Sequence, residues 1–401
     1  MQSKRTNPGE LRVAVVGFGW MGRVHTLAYR RVSEHFPGLP LRPRLAAVAD
    51  EVPGRAEEAA ALFGFERAAT DWRALVDALD IDAVSITAPN FLHREIGEAF
   101  ARAGKHIWIE KPVGVDAADA RAVEAAALES GVTARVGFNY RNAPAVRRAK
   151  RLIAEGAIGT PTHASFRLLG DYAADPAGAF TWRYELERAG HGVVGDLAAH
   201  GVDLIRYLLG EVVDVTSAGA IFIGERRRPT GATTGHVRAE EGDLVTVANE
   251  DWSASLLTLD SGAKVTLEAS RVAVGHQNDY GFRIHGTHGA LEWDFRRMGE
   301  LLQAGGEHAQ DLPMATVFTG PGDGASAAFQ PGSALSLSYD DLKVIEAEGF
   351  LQAVAGVPGA DGAGLADAVA AAEVLDAIAA SSESGARVTV AQRIAIAEAA
   401  R

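Results

Sequence analysis

The run GDLAAHGVDLIRYLLG at residues 195–210 carries Asp196, His200 and Asp203 at i, i+4 and i+7. On a helix those offsets align three polar side chains along one face. The rest of the run is apolar, and ionisable groups seldom enter apolar surroundings without partners, because desolvation is costly. The face therefore either meets solvent or lines a site where proton transfer is wanted. Asp203 is expected to serve structure, paired with Arg206 or Arg183. A second candidate is Lys111, fixed between Glu110 and Pro112 at the tip of KHIWIEKP (105–112). An ammonium there can orient a hydroxyl and stabilise alkoxide character as hydride leaves. The plainer reading is an ion pair with Glu110. His191 joins Asp196 and His200 in imitating a metal set, but the spacing matches no ordinary zinc pattern, so no metal is expected.

Chemistry of that kind needs an electron acceptor, and the first strand supplies a place for one. Residues 15–22 read VVGFGWMG, so Gly17, Gly19 and Gly22 form GxGxxG between an apolar strand and a helix. In that context Gly17 permits the tight turn, Gly19 lets backbone approach a pyrophosphate, and Gly22 allows close helix–strand packing. The helix N-terminus adds free N–H groups and a positive dipole end. The second strand ends at Asp50, further on than the usual spacing of about twenty residues. The connection SEHFPGLPLRPR accounts for the delay. A carboxylate at that strand end accepts from ribose hydroxyls and repels a 2′-phosphate, which favours NAD over NADP. Glu51 strengthens the repulsion and Arg55 opposes it.

Three further strands end in polar signatures, ITAPNFLH (86–93), IEKP (109–112) and GFNYR (137–141). Ligands of open α/β sheets bind outside such carboxyl ends. The expected cofactor contacts are Gly17, Gly19, Trp20, Met21, Gly22, Asp50, Ala88, Asn90, His93, Glu110, Lys111 and Asn139. For His93 two readings stand, a contact with ribose or nicotinamide and a solvent-facing residue at a helix start.

The elements that must position these groups fall into two textures. The first third alternates short β-branched runs (11–17, 44–50, 82–89, 105–112, 133–138) with helical patterns, the signature of a parallel sheet covered on both faces. From about residue 161 longer alternating strands follow, among them DWSASLLTLD and AKVTLEASR, with DSG (260–262) as a hairpin turn between them. The expectation is a two-domain α/β chain. A Rossmann domain, a doubly wound parallel sheet, spans 11–139, and an α+β domain with a large, mainly antiparallel open sheet spans 140–400. Long Gly/Pro/Ser-rich loops at 224–242 and 303–336 read as lids or subunit contacts. A final helix is expected at about 364–380.

With 401 residues the chain suits two domains. It is 47% apolar and 23% charged, and contains no uninterrupted apolar tract long enough for a membrane span. A net charge of −13 argues against nucleic acid as a partner. The one basic cluster, ERRRP at 225–229, reads as a solvated loop. The chain has no cysteine, which excludes disulfides and thiolate chemistry. A cytoplasmic protein is expected from the lack of an apolar leader in MQSKRTNPGE.

Taken in order, VGFGWMG, ITAPNFLH, EKP, GFNYR and GDLAAHGVD resemble the Gfo/Idh/MocA family of sugar and polyol dehydrogenases, over nearly the whole chain. AFTWRYE, ADP (174–176), VFTGP (317–321), HGTHG (285–289) and KVIEAEGF (343–350) extend the likeness to a branch of sugar 3-dehydrogenases. The resemblance implies that Lys111, Asp196 and His200 form the catalytic group, that NAD is the cofactor, and that the Lys111–Pro112 bond is cis. His200 would then act as general base on a secondary hydroxyl, with Asp196 orienting it or relaying the proton. The substrate would be a pyranose, anhydrosugar, glycoside, amino sugar or inositol, contacted by Lys111, Tyr140, Arg183, Asp196, His200 and Asn278. Arg141, Trp182 and His276 are further candidates for the pocket, and Asp171, Asp175, Glu185 and Glu187 for its entrance. A homodimer or homotetramer is implied as well. Two other readings use the same residues: an NAD-retaining glycoside hydrolase, and a non-catalytic NAD or sugar sensor.

Overall fold

The computed structural model describes residues 9–229, 237–306 and 309–390. Parts of both long loops (230–236 and 307–308) and the expected domain end beyond 390 lie outside the described residues. Chain contacts divide the protein into two units. The first comprises 1–114, 118–143 and 320–369, and the second 115–117, 144–319 and 370–401.

In the first unit, β1 (Glu10–Val16), β2 (Arg42–Ala49), β3 (Arg67–Ala69), β4 (Ala83–Ile86), β5 (His106–Ile109) and β6 (Ala134–Val136) form one sheet in the order β3-β2-β1-β4-β5-β6. Every pairing is parallel. This is the doubly wound order, whose strand order reverses beside β1 and β4. Val13, Ala14, Val15, Val84 and Ile107 are fully buried because helices cover both faces. One covering helix comes from far along the chain. Tyr339–Val354 packs Val344, Ala347, Phe350 and Leu351 against Leu11, Val13, Tyr29, Val32 and Trp108. The stretch 320–369 thereby joins the first unit, whereas the sequence pattern places it with 140–400. Apolar residues on that helix find their burial beside β1, which no local pattern announces.

In the second unit nine strands form one sheet. They are β7 (Pro161–Leu169), β8 (Val212–Ala220), β11 (Trp252–Leu259), β12 (Lys264–Ser270), β13 (Asp279–Gly286), β14 (Gly289–Asp294), β15 (Glu300–Gly305), β16 (Ala315–Phe318) and β17 (Val388–Thr389). The order is β16-β15-β14-β13-β7-β12-β11-β8-β17, antiparallel except where β7 lies parallel to β12. A separate ribbon pairs β9 (Glu225–Arg227) with β10 (Leu244–Thr246). The DSG turn joins β11 to β12, with Gly262 at φ +87°. One face of the sheet alternates into the core, as in β12, where Val265, Leu267 and Ala269 are buried. The helix Ala199–Leu209 lies close against that face at Gly201, where a Cβ would come within 2.6 Å of Leu267 and 2.7 Å of Leu168. The opposite face holds an open depression of about 630 Å³ bordered by Ser165, Thr216, Leu256, Thr266 and Arg283.

The basic cluster does not behave as a solvated loop. Arg226 is completely buried, its guanidinium donating to the carbonyls of Ala173 and Asp175 at 2.5 and 2.9 Å. It also lies 4.4 Å from the Tyr184 ring centre. Alternation along β9 turns this one arginine inward while Glu225 and Arg227 stay exposed.

Candidate active site

The glycine turn has the form a dinucleotide requires. Gly17 adopts φ +85°, and a Cβ there would lie 2.6 Å from Ala88 backbone atoms. A Cβ on Gly22 would strike the Gly17 carbonyl at 2.3 Å, whereas at Gly19 it would meet nothing within 4 Å. Gly17 and Gly22 are thus imposed by the fold, and Gly19 leaves open space above the turn. Helix Trp20–His35 starts here with no side chain capping it, so its first N–H groups are not claimed by a cap. Asp50 stands at the end of β2, only 7% exposed. It accepts from the N–H of Phe18 at 2.6 Å and of Val52 at 2.9 Å, and pairs with Arg55 at 3.2 Å. Trp20 is exposed and stacks on Tyr339 with ring centres 5.2 Å apart. The Tyr339 hydroxyl lies 3.7 Å from the Met21 sulfur.

The remaining strand ends turn several of their polar groups inward. His93 is buried and faces neither solvent nor open space. Its ring nitrogens contact the carbonyls of Pro112 and Ala88 at 2.8 and 2.7 Å, tying two strand-end loops together. Burial pulls its pKa below the ordinary value, against the opposing effect of those carbonyls. Asn90 is buried one turn earlier. The Lys111–Pro112 bond is cis. Glu110 turns inward, its Oε1 beside His25 Nε2 at 2.9 Å and against Lys343 Nζ. The ion pair between Glu110 and Lys111 that the sequence allows is replaced by one with Lys343. Asn139 is likewise internal, and its amide nitrogen, in the orientation that satisfies its neighbours, donates to Leu342 O and Glu346 Oε2, each at 3.2 Å.

In the second unit the run at 194–209 is not one uniform helix. Val194–Ala198 forms a π-helical turn, followed by the α-helix Ala199–Leu209. Such turns insert a wider i→i+5 ring and recur at functional sites. Asp196 therefore sits on the wide turn and His200 in the first turn of the α-helix. His200 is 8% exposed and Asp203 1%, while Asp196 is half-buried. The turn is held from outside, since Val194 N–H donates to Glu250 Oε1 at 2.9 Å and Val193 N–H to the Glu250 carbonyl at 2.9 Å. His191 contacts Asp376 at 3.1 Å, and that carboxylate, overcoming burial, holds its pKa above the ordinary imidazole value. Tyr172 donates its phenol hydroxyl to Asp196 Oδ2. Burial first, and the Asp196 charge next, raise the Tyr172 phenol far above its usual range, and Tyr280 is pushed upward for the same two reasons.

Other candidates for the pocket are placed as follows. Tyr140 is buried, and Arg141 pairs with Asp367 at 3.1 Å. Arg183 lies over the Trp182 ring at 4.5 Å, and its carbonyl accepts from Asn249 at 2.7 Å. Asn278 takes the left-handed conformation, φ +50°, just before Asp279, which pairs with His276 at 2.7 Å. Arg206 pairs with Glu211 at 2.7 Å. Sequence reasoning missed Tyr172, which carries no motif, and the internal pair Lys343 and Glu346. The latter pair had a signal, two ionisable residues three apart within an apolar helix.

Residues 11–138 match the oxidoreductase family with an NAD-binding Rossmann fold, and residues 146–292 match the GFO/IDH/MocA C-terminal domain. The chain is 38% identical to levoglucosan dehydrogenase of Pseudarthrobacter phenanthrenivorans across 86% of its length and 89% of that protein. This chain belongs to the Gfo/Idh/MocA family. It is 31% identical to inositol 2-dehydrogenase of Rhizobium meliloti across 77% of its length and 83% of the relative. A solved structure of levoglucosan dehydrogenase in complex with NADH and levoglucosan superposes with a TM-score of 0.88 at 36% identity, covering 96% of this chain and all of that one. As a Gfo/Idh/MocA member the chain is an NAD-dependent dehydrogenase, and its residues fit that cofactor. The space above Gly19, the uncapped helix start and the Asp50 carboxylate supply what pyrophosphate and ribose need. No helix among the described residues is long and apolar enough to cross a membrane.

Proposed function

We propose that this Gfo/Idh/MocA protein oxidises a secondary ring hydroxyl, at C3, of a pyranose-type sugar, anhydrosugar, glycoside, amino sugar or inositol. The observation that carries the reading is a carboxylate and an imidazole four residues apart across the junction of a π turn and an apolar α-helix. Asp196 sits on a π turn and receives the Tyr172 hydroxyl, and the enclosed imidazole of His200 follows four residues on. Names of relatives, a levoglucosan and an inositol dehydrogenase, support the substrate class. NAD, when bound, supplies the hydride acceptor. The chain's own groups handle the proton. His200 takes it from the substrate hydroxyl, since imidazole titrates near neutrality. Asp196 orients His200 and stabilises the imidazolium that forms. Lys111 holds the same oxygen and stabilises its growing negative charge. Arg183 and Asn278 contact the sugar ring, and the protein works as a homodimer or homotetramer.

The test is an NADH fluorescence screen of the purified protein with NAD and levoglucosan, glucose, inositols, glucosides and aminoglycosides. Net NADH with at least one sugar or polyol is expected. Sugar products released without NADH would assign the retaining hydrolase instead, and bound NAD with no turnover of any compound would assign the sensor.

A further inference from the structure

Beneath the Glu110–Lys111–Pro112 segment lies a set of buried ionisable groups that the proposed chemistry does not use. Lys343, on the helix Tyr339–Val354, is wholly enclosed. Its Nζ meets Glu110 Oε1, lies 3.2 Å from Glu346 Oε1 and sits 5.6 Å from the centre of the Trp108 ring. Trp108 Nε1 donates to Glu346 Oε1 at 2.6 Å, and the His25 ring stacks on Trp108 at 3.7 Å. The Glu110 carboxyl lies directly over Gly137, where a Cβ would stand 2.4 Å from Oε1. The motif segments around residues 25, 110 and 137 therefore close on one ammonium that arrives more than 200 residues later.

Two carboxylates sharing one cation in an apolar interior is a poor device for stability alone, because well-packed apolar residues often do as well or better. Its location suggests another use. Glu110 continues the sheet beyond β5, its N–H donating to Ile86 O at 2.9 Å. Anchoring its side chain inside sets where the backbone of the next residue begins. Against the upward push of burial, the Lys343 charge and the His25 contact hold Glu110 below the usual carboxylate range, so it stays ionised and engaged.

We propose that Lys343 is a positioning residue for Lys111: by holding Glu110 inside the first unit it fixes the strand tip that carries Lys111, and keeps the Glu110 charge from neutralising the Lys111 ammonium. The inference rests on the reading of Lys111 as the hydroxyl-binding group.

The test compares the full-length wild type with Lys343→Met, Lys111→Ala, the double variant of those two, and Lys343→Met/Glu110→Gln. Thermal melting, NADH fluorescence titration and steady-state rates are measured with NAD and whichever of levoglucosan, glucose, inositols, glucosides and aminoglycosides the wild type oxidises fastest. Lys343→Met should bind NADH within about threefold of wild type yet lose about 30-fold in kcat, the scale of a small misplacement of a reacting group. In the Lys111→Ala background the same change should cost less than about twofold, because residues acting through one another are not additive. Lys343→Met/Glu110→Gln leaves no orphaned carboxylate at 110 and carries the test where the single variant does not fold. Its kcat should fall less than that of Lys343→Met and still stay below wild type. Wild-type kcat in either folded variant, or a full additional loss in the Lys111→Ala background, overturns the proposal. Full activity of Lys111→Ala alone, or wild-type oxidation of none of these compounds, removes the underlying reading of Lys111 and the proposal with it.

Discussion

Replacing Asp50 with alanine should change which dinucleotide the protein prefers. Asp50 is almost enclosed, and two backbone N–H groups hold its carboxylate at the end of β2, with Arg55 alongside at 3.2 Å. Each carboxylate oxygen accepts one backbone N–H and one longer contact from Arg55 Nη1, at 3.2 and 3.4 Å, and a ribose hydroxyl would take the place of the Arg55 contact. A hydrogen bond to a charged acceptor contributes about 1.5–3 kcal/mol, so losing one should weaken NAD binding by about 10- to 150-fold. NADP responds in the opposite direction. The 2′-phosphate no longer meets a fixed negative charge, and Arg55, released from Asp50, becomes a cation for it, so NADP affinity should rise at least about tenfold. Together these move the NAD/NADP ratio by about two to three orders of magnitude. Fluorescence titration with NADH and NADPH, alongside thermal melting, measures both limbs. NADH affinity within about twofold of wild type would show that Asp50 serves only the loop geometry it holds.

Three further outcomes follow from the same structure. His200→Ala should bind NADH normally and lose at least about a hundredfold in kcat, the usual share of a positioned base; stopped-flow hydride transfer at wild-type rate would remove His200 from the chemistry. Tyr172→Phe deletes only the hydroxyl donated to Asp196. It should lower kcat about tenfold with NADH affinity unchanged, as single-turnover rates would show. Glu346 is raised by burial, against the opposing Lys343 charge, to about 7. A group raised in the folded state contributes stability that is complete below its ordinary value and disappears as pH climbs through 7. Wild type should therefore lose stability to urea between about pH 5 and about pH 8 through this group, and Glu346→Gln should flatten that slope.

Legibility in the sequence follows from how local each cause is. The GxGxxG turn, the Asp at the end of β2, the proline-stopped strand ends and the DSG hairpin were readable because each arises within a few residues of chain. Apolar runs between helical patterns announced the parallel sheet, and alternation announced the antiparallel one. The short β3 was missed, since a three-residue strand leaves too little pattern. The π turn beneath Asp196 was also hidden. It depends on Glu250, which holds the N–H groups of Val193 and Val194 from another strand connection.

What the sequence alone determined is therefore the cofactor-binding fold and its local supports: a dinucleotide turn, a lysine before a strand-ending proline, and an imidazole four residues after a carboxylate. Only the tertiary structure decided the company these groups keep. It turned Glu110 and Asn139 inward to Lys343 and Glu346, made His93 a staple between carbonyls, buried Arg226 beside Tyr184, and brought the Tyr172 hydroxyl to Asp196. The reason is physical. A motif is set by steric and hydrogen-bonding demands over a few neighbours, whereas the partner of a buried charge is whichever group from a distant segment the packed core delivers within reach.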